Sequence, residues 1–408
     1  LLIRLALHYL PMKMTRRVFA FSLLIVPLVF SAIGGSAAKP PTTHKYLAFV
    51  GTYTAKTESK GIYAFEFDAD TGKLTPKGVA AETPDPSWVL VHPSGKFLYA
   101  ANEAGKASTV SAFVVDTKSG KLTQLNQMPA LGEDPCYLSF DRTGKYVFVA
   151  NYTSGNVVVF PIAEDGKLIA ATANVRDEGK LGPNKERQDS PHAHWTEPSF
   201  DDRSVYVADL GLDRVLRYGF DATKGTLSIG PVQSTWSHSV RDLSAKPSPG
   251  TGPRHAAFSS GGILYVLGEL QSTVTAFHMI GIDDFVPTSF QRISTLPKGF
   301  PGRNDAAEIT RHPSGKFLYT SNRGEDTITV FAIDPQRGTL THIENVPTQG
   351  KEPRHFAIDP TGRYLLAENQ NSNTIIEFRI DAATGKLIPT GEVVHVPSPV
   401  CLAFLSAD

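Results

Sequence analysis

One segment recurs seven times along this chain, and that repetition narrows the possible folds more than any other feature of the sequence. "HPSGKFLYAANEAGKASTVSAFVVDTKSGKLT", starting at His92, returns as "HPSGKFLYTSNRGEDTITVFAIDPQRGTLT" from His312. Looser copies read "FDRTGKYVFVANYTSGNVVVFPIAEDGKL", "FDDRSVYVADLGLDRVLRYGFDATKGTL", "SSGGILYVLGELQSTVTAFHMI" and "IDPTGRYLLAENQNSNTIIEFRIDAATGKL", with the opening "HKYLAFVGTYTAKTESKGIYAFEFDADTGKLT" as a seventh. On alignment Ala48, Tyr99, Phe148, Tyr206, Tyr265, Tyr319 and Leu366 correspond, spaced from the high forties to the high fifties. That period is the one expected of propeller blades. Each copy reads as four short strands: an apolar segment (residues 88–91), a Pro-Ser-Gly turn, a second strand (97–101), an alternating third (110–115), an Asp-x-x-x-Gly turn and a fourth opening on "GKLT". Four antiparallel strands repeated radially make a propeller blade.

The ends fit that count. The first copy lacks an initial strand, and the chain finishes in "SPVCLAFLSAD", which matches "DPSWVLVHP" and "DPCYLSFDR". Residues 400–404 are therefore predicted to supply the inner strand of blade one and remove an open edge. The fold predicted is all-β, a single seven-bladed β-propeller over residues 39–408, with its ring closed by the C-terminal strand.

The first 38 residues read differently. "MTRRVFAFSLLIVPLVFSAIGGSAA" has a basic start, an apolar run over 18–33 broken by Pro27, and then small residues. That is the pattern of an export signal peptide, with a twin-arginine-like "TRRVF" and cleavage near Ala38. The expected location is periplasmic or secreted, or cytoplasmic if the signal is not used. Lysine plus arginine number 40 and aspartate plus glutamate 40, so no global charge draws the protein to nucleic acid or to a membrane after signal removal. A small ligand and a monomer are expected. Cys136 and Cys401 are too few for a disulfide framework and are expected to be buried free thiols.

Antiparallel strand direction says where chemistry can gather. The start of each inner strand and the end of each second strand share one face of the disc. Inner-strand starts carry Ser87, Cys136, His194, Arg254, Asp305, Arg354 and Val400; second-strand ends carry Thr52, Glu103, Tyr152, Asp209, Glu269, Arg323 and Gln370. A histidine, two arginines and a glutamate thus come from blades four to six. Long connections at 169–191, 228–253 and 283–303 lead into the same blades, as expected where a rigid scaffold carries a site. The "HPSGK" turns read as tight-turn chemistry, not phosphate loops.

Taken together, "GPNKERQDSPHAH", "GPRHAAF", "GELQSTVTAF", "RHPSGKFLYTSNRGEDTITVF" and "EPRHFAIDPTGRYLLAENQ" resemble the seven-bladed lactonase family, which includes cycloisomerase-type 6-phosphogluconolactonases and carboxy-cis,cis-muconate cyclases. The resemblance spans residues 46–405. It implies hydrolysis of a sugar-acid lactone at the channel mouth, with a catalytic set of His194, Arg254, Glu269 and Arg323. At the front the chain departs from the family pattern, since an export signal is not expected of a pentose-phosphate enzyme.

Each residue type suits the role implied. An imidazole such as His194 serves as general base on a water attacking the carbonyl, with Glu269 to orient it. Arg254 and Arg323 hold an anionic lactone and the oxyanion that develops on it. His192, Glu103, Tyr152, Arg187, Gln188 and Arg354 are the expected substrate-binding residues. Strand spacing would let His192 and His194 share zinc if Asp189 or Glu197 added a third ligand, but the reading adopted has no metal and no cofactor. Two alternatives stand beside it: a lactone-forming muconate-type cyclase using the same residues in reverse, and a non-enzymatic binding propeller of the cell surface.

Overall fold

The computed structural model describes residues 44–229, 244–259, 261–279 and 287–406. The export signal expected over residues 1–38 lies outside them, as do 230–243 and 283–286 of the long connections.

The described residues form seven four-stranded antiparallel sheets, and the strand order in each confirms the blade reading. Blade two is typical: Pro86–Val91 is innermost, followed by Phe97–Asn102, Thr109–Val115 and Leu122–Pro129. In blade one the inner strand is Pro399–Ser406, paired antiparallel with Lys45–Thr52 from Tyr46↔Ser406 to Gly51↔Cys401. The two ends of the chain therefore share a sheet, and the ring closes as the missing first strand required.

Alternation explains why these sequences make blades. Strand residues of one parity face the neighbouring sheet on one side and those of the other parity face the sheet on the opposite side, so both faces are apolar. The buried apolar residues fall into seven clusters, one between each pair of adjacent blades. Polar latches cross the same interfaces. The hydroxyls of Tyr99, Tyr265 and Tyr319 donate to the carbonyls of Gly166, Gly338 and Gly385 in the turn of the next blade, at 2.7, 2.7 and 2.8 Å. Glycine suits that turn because its φ is positive, +74° at Gly385. The "HPSGK" histidines act similarly: His92 and His312 bond Ser94 and Ser314 within the turn, and Gly144 and Gly362 of the next blade. These turns are structural.

One feature was not expected. All seven inner strands carry a register shift near their start, after the first residue in six blades and after the second, Ala306, in blade six. In blade three Pro135 pairs with Asn151 and Tyr137 with Ala150, which leaves Cys136 as the extra residue. A bulge breaks strict alternation and re-aims side chains, and it brings two consecutive residues of each blade toward the axis. The second residues include Cys136, His194, Arg254 and Arg354. The residues that follow include Trp88, Tyr137, His255, His355 and, in blade six, Glu308, and the rings among them meet across the channel: Trp88 of blade two lies 5.5 Å from His255 of blade five and 5.3 Å from His355 of blade seven.

Candidate active site

Two backbone devices aim the site residues. The residue just before the inner strand has a positive φ in five blades, at Asp85, Asp134, Gly252, Glu352 and Ser398. Its carbonyl then accepts the N–H of the residue just after the second strand, from Tyr53, Glu103, Tyr152, Glu269 and Gln370. The five donors are thereby held at equivalent points around one mouth. That frame corrects the alignment in three blades. In blade one the rim residue is Tyr53, because Thr52 is fully buried on Ser59 and Gly61. In blade four it is Leu210, because Asp209 is still within the strand. In blade six the equivalent of Arg254 is Ala307, two residues past Asp305.

The mouth opens on a cavity of about 700 Å³ lined by Tyr53, Glu103, Cys136, Tyr152, Arg187, His194, Glu269, Arg323 and Arg354, among others. Its electrostatic centre is Glu269, buried and ringed by three guanidiniums. Arg187 Nη2 donates to Oε1, while Arg254 Nε and Arg323 Nη2 lie 3.1 and 3.2 Å from Oε2. The last two N–H groups are not aimed at the oxygen, so these are ion pairs without aligned hydrogen bonds. Burial alone would push the Glu269 carboxyl up, but Arg323 and Arg254 outweigh it and hold the group well below the usual carboxylate range. Burial, with Arg323 and Arg354 close by, pulls Arg254 down to about 10, which leaves it charged at neutral pH. Arg323 is braced from behind by the carbonyl of Asp305, 3.1 Å from Nε.

His194 stands apart from this cluster. Its Nδ1 meets Cys136 Sγ at 3.6 Å, and no hydrogen bond joins it to Glu269. The side chain that meets the His194 ring is thus Cys136 and not Glu269, whose carboxylate is turned to its three arginines. Burial keeps the Cys136 thiol protonated, and the Ala193 carbonyl 3.7 Å away can accept its S–H. The sulfur can then accept from Nδ1–H, which leaves the Nε2 lone pair to the cavity. Burial and then Arg254 push the His194 pKa well below its ordinary value, so the ring is neutral. Opposite, Arg354 lies 4.0 Å from Glu103 Oε1 and 5.2 Å from the centre of the Tyr53 ring, and burial raises the Glu103 carboxyl.

A family model described as "Lactonase, 7-bladed beta-propeller" matches residues 47–404. The chain belongs to that family. It is 36% identical over 367 residues to the 6-phosphogluconolactonase of Bacillus subtilis, covering 88% of this chain and 99% of that protein. It is 32% identical to the 6-phosphogluconolactonase of Formosa agariphila, over 76% of this chain and 86% of the relative. Among solved structures, the periplasmic gluconolactonase of Pseudomonas aeruginosa superposes with a TM-score of 0.81 at 32% identity, over 89% of this chain and 100% of that one.

Within this lactonase-family propeller the sequence-derived residues separate by position. His194, Glu269, Arg323, Arg187, Tyr152, Glu103 and Arg354 line one cavity. Arg254 lies beneath, 3% exposed, with Nη1 on the carbonyl of Ala307. His192 and Gln188 lie outside the cavity lining. The His192 ring stacks on Tyr152 at 4.5 Å and bonds Asp189 and the Tyr152 carbonyl, so it positions Tyr152. Gln188 is buried in its own loop, donating to Leu210 and accepting from Asn184. The zinc set considered from strand spacing does not come together: Asp189 bonds His192, while the His194 ring meets Cys136. Glu197 lies with Arg142 and Phe200 in a separate cavity, where burial raises its carboxyl to about 7. Sequence reasoning missed Tyr53 as a lining residue, and a one-residue correction of the first copy's alignment would have found it. It also missed the partnership of Cys136 with His194.

Proposed function

We propose that this chain opens the ring of a sugar-acid lactone outside the cytoplasm, without a metal. The observation that carries this reading is a neutral, thiol-anchored imidazole sharing a cavity with the guanidiniums of Arg187 and Arg323, in a chain whose relatives include 6-phosphogluconolactonases. His194 Nε2 takes a proton from water while the water oxygen bonds to the lactone carbonyl carbon. Negative charge then develops on the carbonyl oxygen. Arg323 and Arg187, already paired to Glu269, stabilise it with little reorganisation. Collapse breaks the bond to the ring oxygen, which leaves with the proton held by His194. The wall of Tyr53, Glu103 and Arg354 suits the substrate's hydroxyl groups. A cavity of about 700 Å³ holds a molecule of that size. Export is supported by the basic-apolar start of the chain and by the description of the Pseudomonas neighbour as periplasmic.

The test is δ-lactone ring opening by the purified protein with and without chelator, alongside Arg254→Ala and Arg323→Ala. Activity is expected to survive chelation. Each variant is expected to lose at least about a hundredfold in kcat/KM, Arg323→Ala by removing a charge that stabilises the transition state and Arg254→Ala by removing the buried partner that holds Glu269 from beneath. Rates unchanged in both variants would reject these roles, and loss on chelation would reject the metal-free reaction.

A further inference from the structure

Beneath Arg254, His255, Glu308 and His355 of three inner strands and Glu368 of the second strand of blade seven form a line of alternating imidazole and carboxylate groups. His255 Nδ1 lies 2.9 Å from Glu308 Oε2, and the same oxygen lies 3.7 Å from His355 Nε2. His355 Nδ1 lies 2.6 Å from Glu368 Oε2. All four residues are buried, and none lines the cavity. Burying two carboxyls and two imidazoles away from any ligand is unfavourable unless they are paired, and here each has a partner in the line.

Its upper end touches the site. Arg254 Nη1 lies 3.4 Å from both ring nitrogens of His255, which sets the guanidinium over the ring and not in its plane. That same Nη1 donates to the carbonyl of Ala307, the residue before Glu308. A guanidinium stacks on a neutral imidazole and is repelled by an imidazolium. The position of Arg254 under Glu269 thus depends on which histidine carries a proton.

The surroundings place it on His355. That ring sits between two carboxyls, whereas His255 has Glu308 on one side and Arg254 on the other. Burial lowers both imidazoles; at His355 the two carboxyls outweigh it, and at His255 the charges of Arg254 and His355 add to it. Burial pushes both carboxyls up, and His355 pulls each back down. The other titratable neighbours of His255 are His194 and Tyr137, each with its ring centre 5.0 Å away, together with Arg354, which disfavours a second proton, and Glu269, which favours one. Cys401, a thiol kept protonated by burial, feels both Glu308 and Glu368.

We propose that Glu308, His355 and Glu368 are positioning residues for the reaction: the Glu368–His355 pair keeps the proton off His255, and neutral His255 with the Ala307 carbonyl fixes Arg254 beneath Glu269. This rests on the reading of the site as a lactone hydrolase. Its test is His355→Gln in the full protein, read by the pH dependence of kcat/KM and by ¹⁵N NMR of the histidine rings. Without the His355 cation, Glu308 draws the proton to His255 as pH falls. The acid limb is then expected to rise by at least about one pH unit, while the alkaline plateau stays within about threefold of the parent. The His255 ring is expected to titrate over the same range. The double variant Glu308→Gln/His355→Gln removes the carboxylate that attracts the proton and is expected to restore the profile. Glu368→Gln, which keeps the side-chain volume, tests the same link if His355→Gln does not fold. An unmoved limb, an untitrated His255, or a double variant no better than the single would overturn the proposal. Absence of lactone opening by the parent protein would overturn the hydrolase reading instead, and the His255 titration would still decide the proton's place.

Discussion

Burial and the charge of Arg254 act in the same direction on His194, and that fixes how the site should respond to pH. Both disfavour the imidazolium, so the ring stays a free base at pH values where an exposed histidine would be half protonated. A base with a lowered pKa remains active further into acid. The acid limb of kcat/KM is therefore expected below pH 6.5, the ordinary histidine value, and a limb at or above that value would remove His194 from the role of base. Glu269 sets no limb in the working range, because Arg323 and Arg254 keep it ionised. At this scale the sequence was informative about which residues gather and silent about how they pair. His194, Glu269 and Arg323 were legible from strand direction alone. The partnership of Glu269 with three arginines was not, because side-chain pairing depends on distances of a few tenths of an ångström. Gln188, read as a rim residue, is buried instead between Asn184 of its own loop and the Leu210 carbonyl.

Strands and turns carry the stability that holds those residues in place. The latch from Tyr319 to Gly385 joins blade six to blade seven in a fully buried setting. Tyr319→Phe removes one hydrogen bond and leaves the Gly385 carbonyl without this donor, so a loss of about 1 kcal/mol is expected in urea unfolding. No change would mean the latch contributes nothing. A second element-scale device links blades three and four: buried Asp177 and Asp209, with the Tyr218 hydroxyl 2.5 Å from Asp177 Oδ1. The Oδ2 atoms of both carboxyls have no other partner. Burial, and then the charge of Asp209, holds the Asp177 carboxyl well above its usual range, so the pair retains a proton. A raised folded-state pKa means the folded protein binds that proton more tightly than the unfolded chain does. The stabilisation is complete below the unfolded value and is lost as pH rises through the folded one. Asp177→Asn cannot lose a proton, so its Tm relative to the parent is expected to improve by about 1–4 °C between about pH 5 and pH 9. A pH-independent difference would show that no proton is shared. The repeated inner-strand bulge belongs to this scale too. Strict alternation, the only rule available from the sequence, assigns one residue per strand start to the channel, and the bulge delivers two.

For the whole molecule, ring closure is the decisive contact. Pro399–Ser406 buries Val400, Cys401, Leu402 and Leu405 and covers the edge of Lys45–Thr52. A chain ending before Pro399 would expose that edge and the apolar residues beneath it, a template for aggregation. It is expected to lose its single cooperative unfolding transition and to elute as aggregate on size exclusion. A soluble truncated monomer with the parent Tm would show that closure is dispensable.

Seven copies, an incomplete first one and a matching C-terminal segment determined the propeller, because period and alternation are written locally and each copy repeats the same local preferences. The same argument reached the face on which chemistry gathers, since antiparallel strands have a fixed direction. What only the tertiary structure decided was the register at each inner strand, the partner of each charge and the buried line from His255 to Glu368. Those depend on where residues from blades two, five, six and seven meet across the axis. Contacts between segments far apart in the chain leave no period and no spacing to read, so folding had to bring them together before they could be seen.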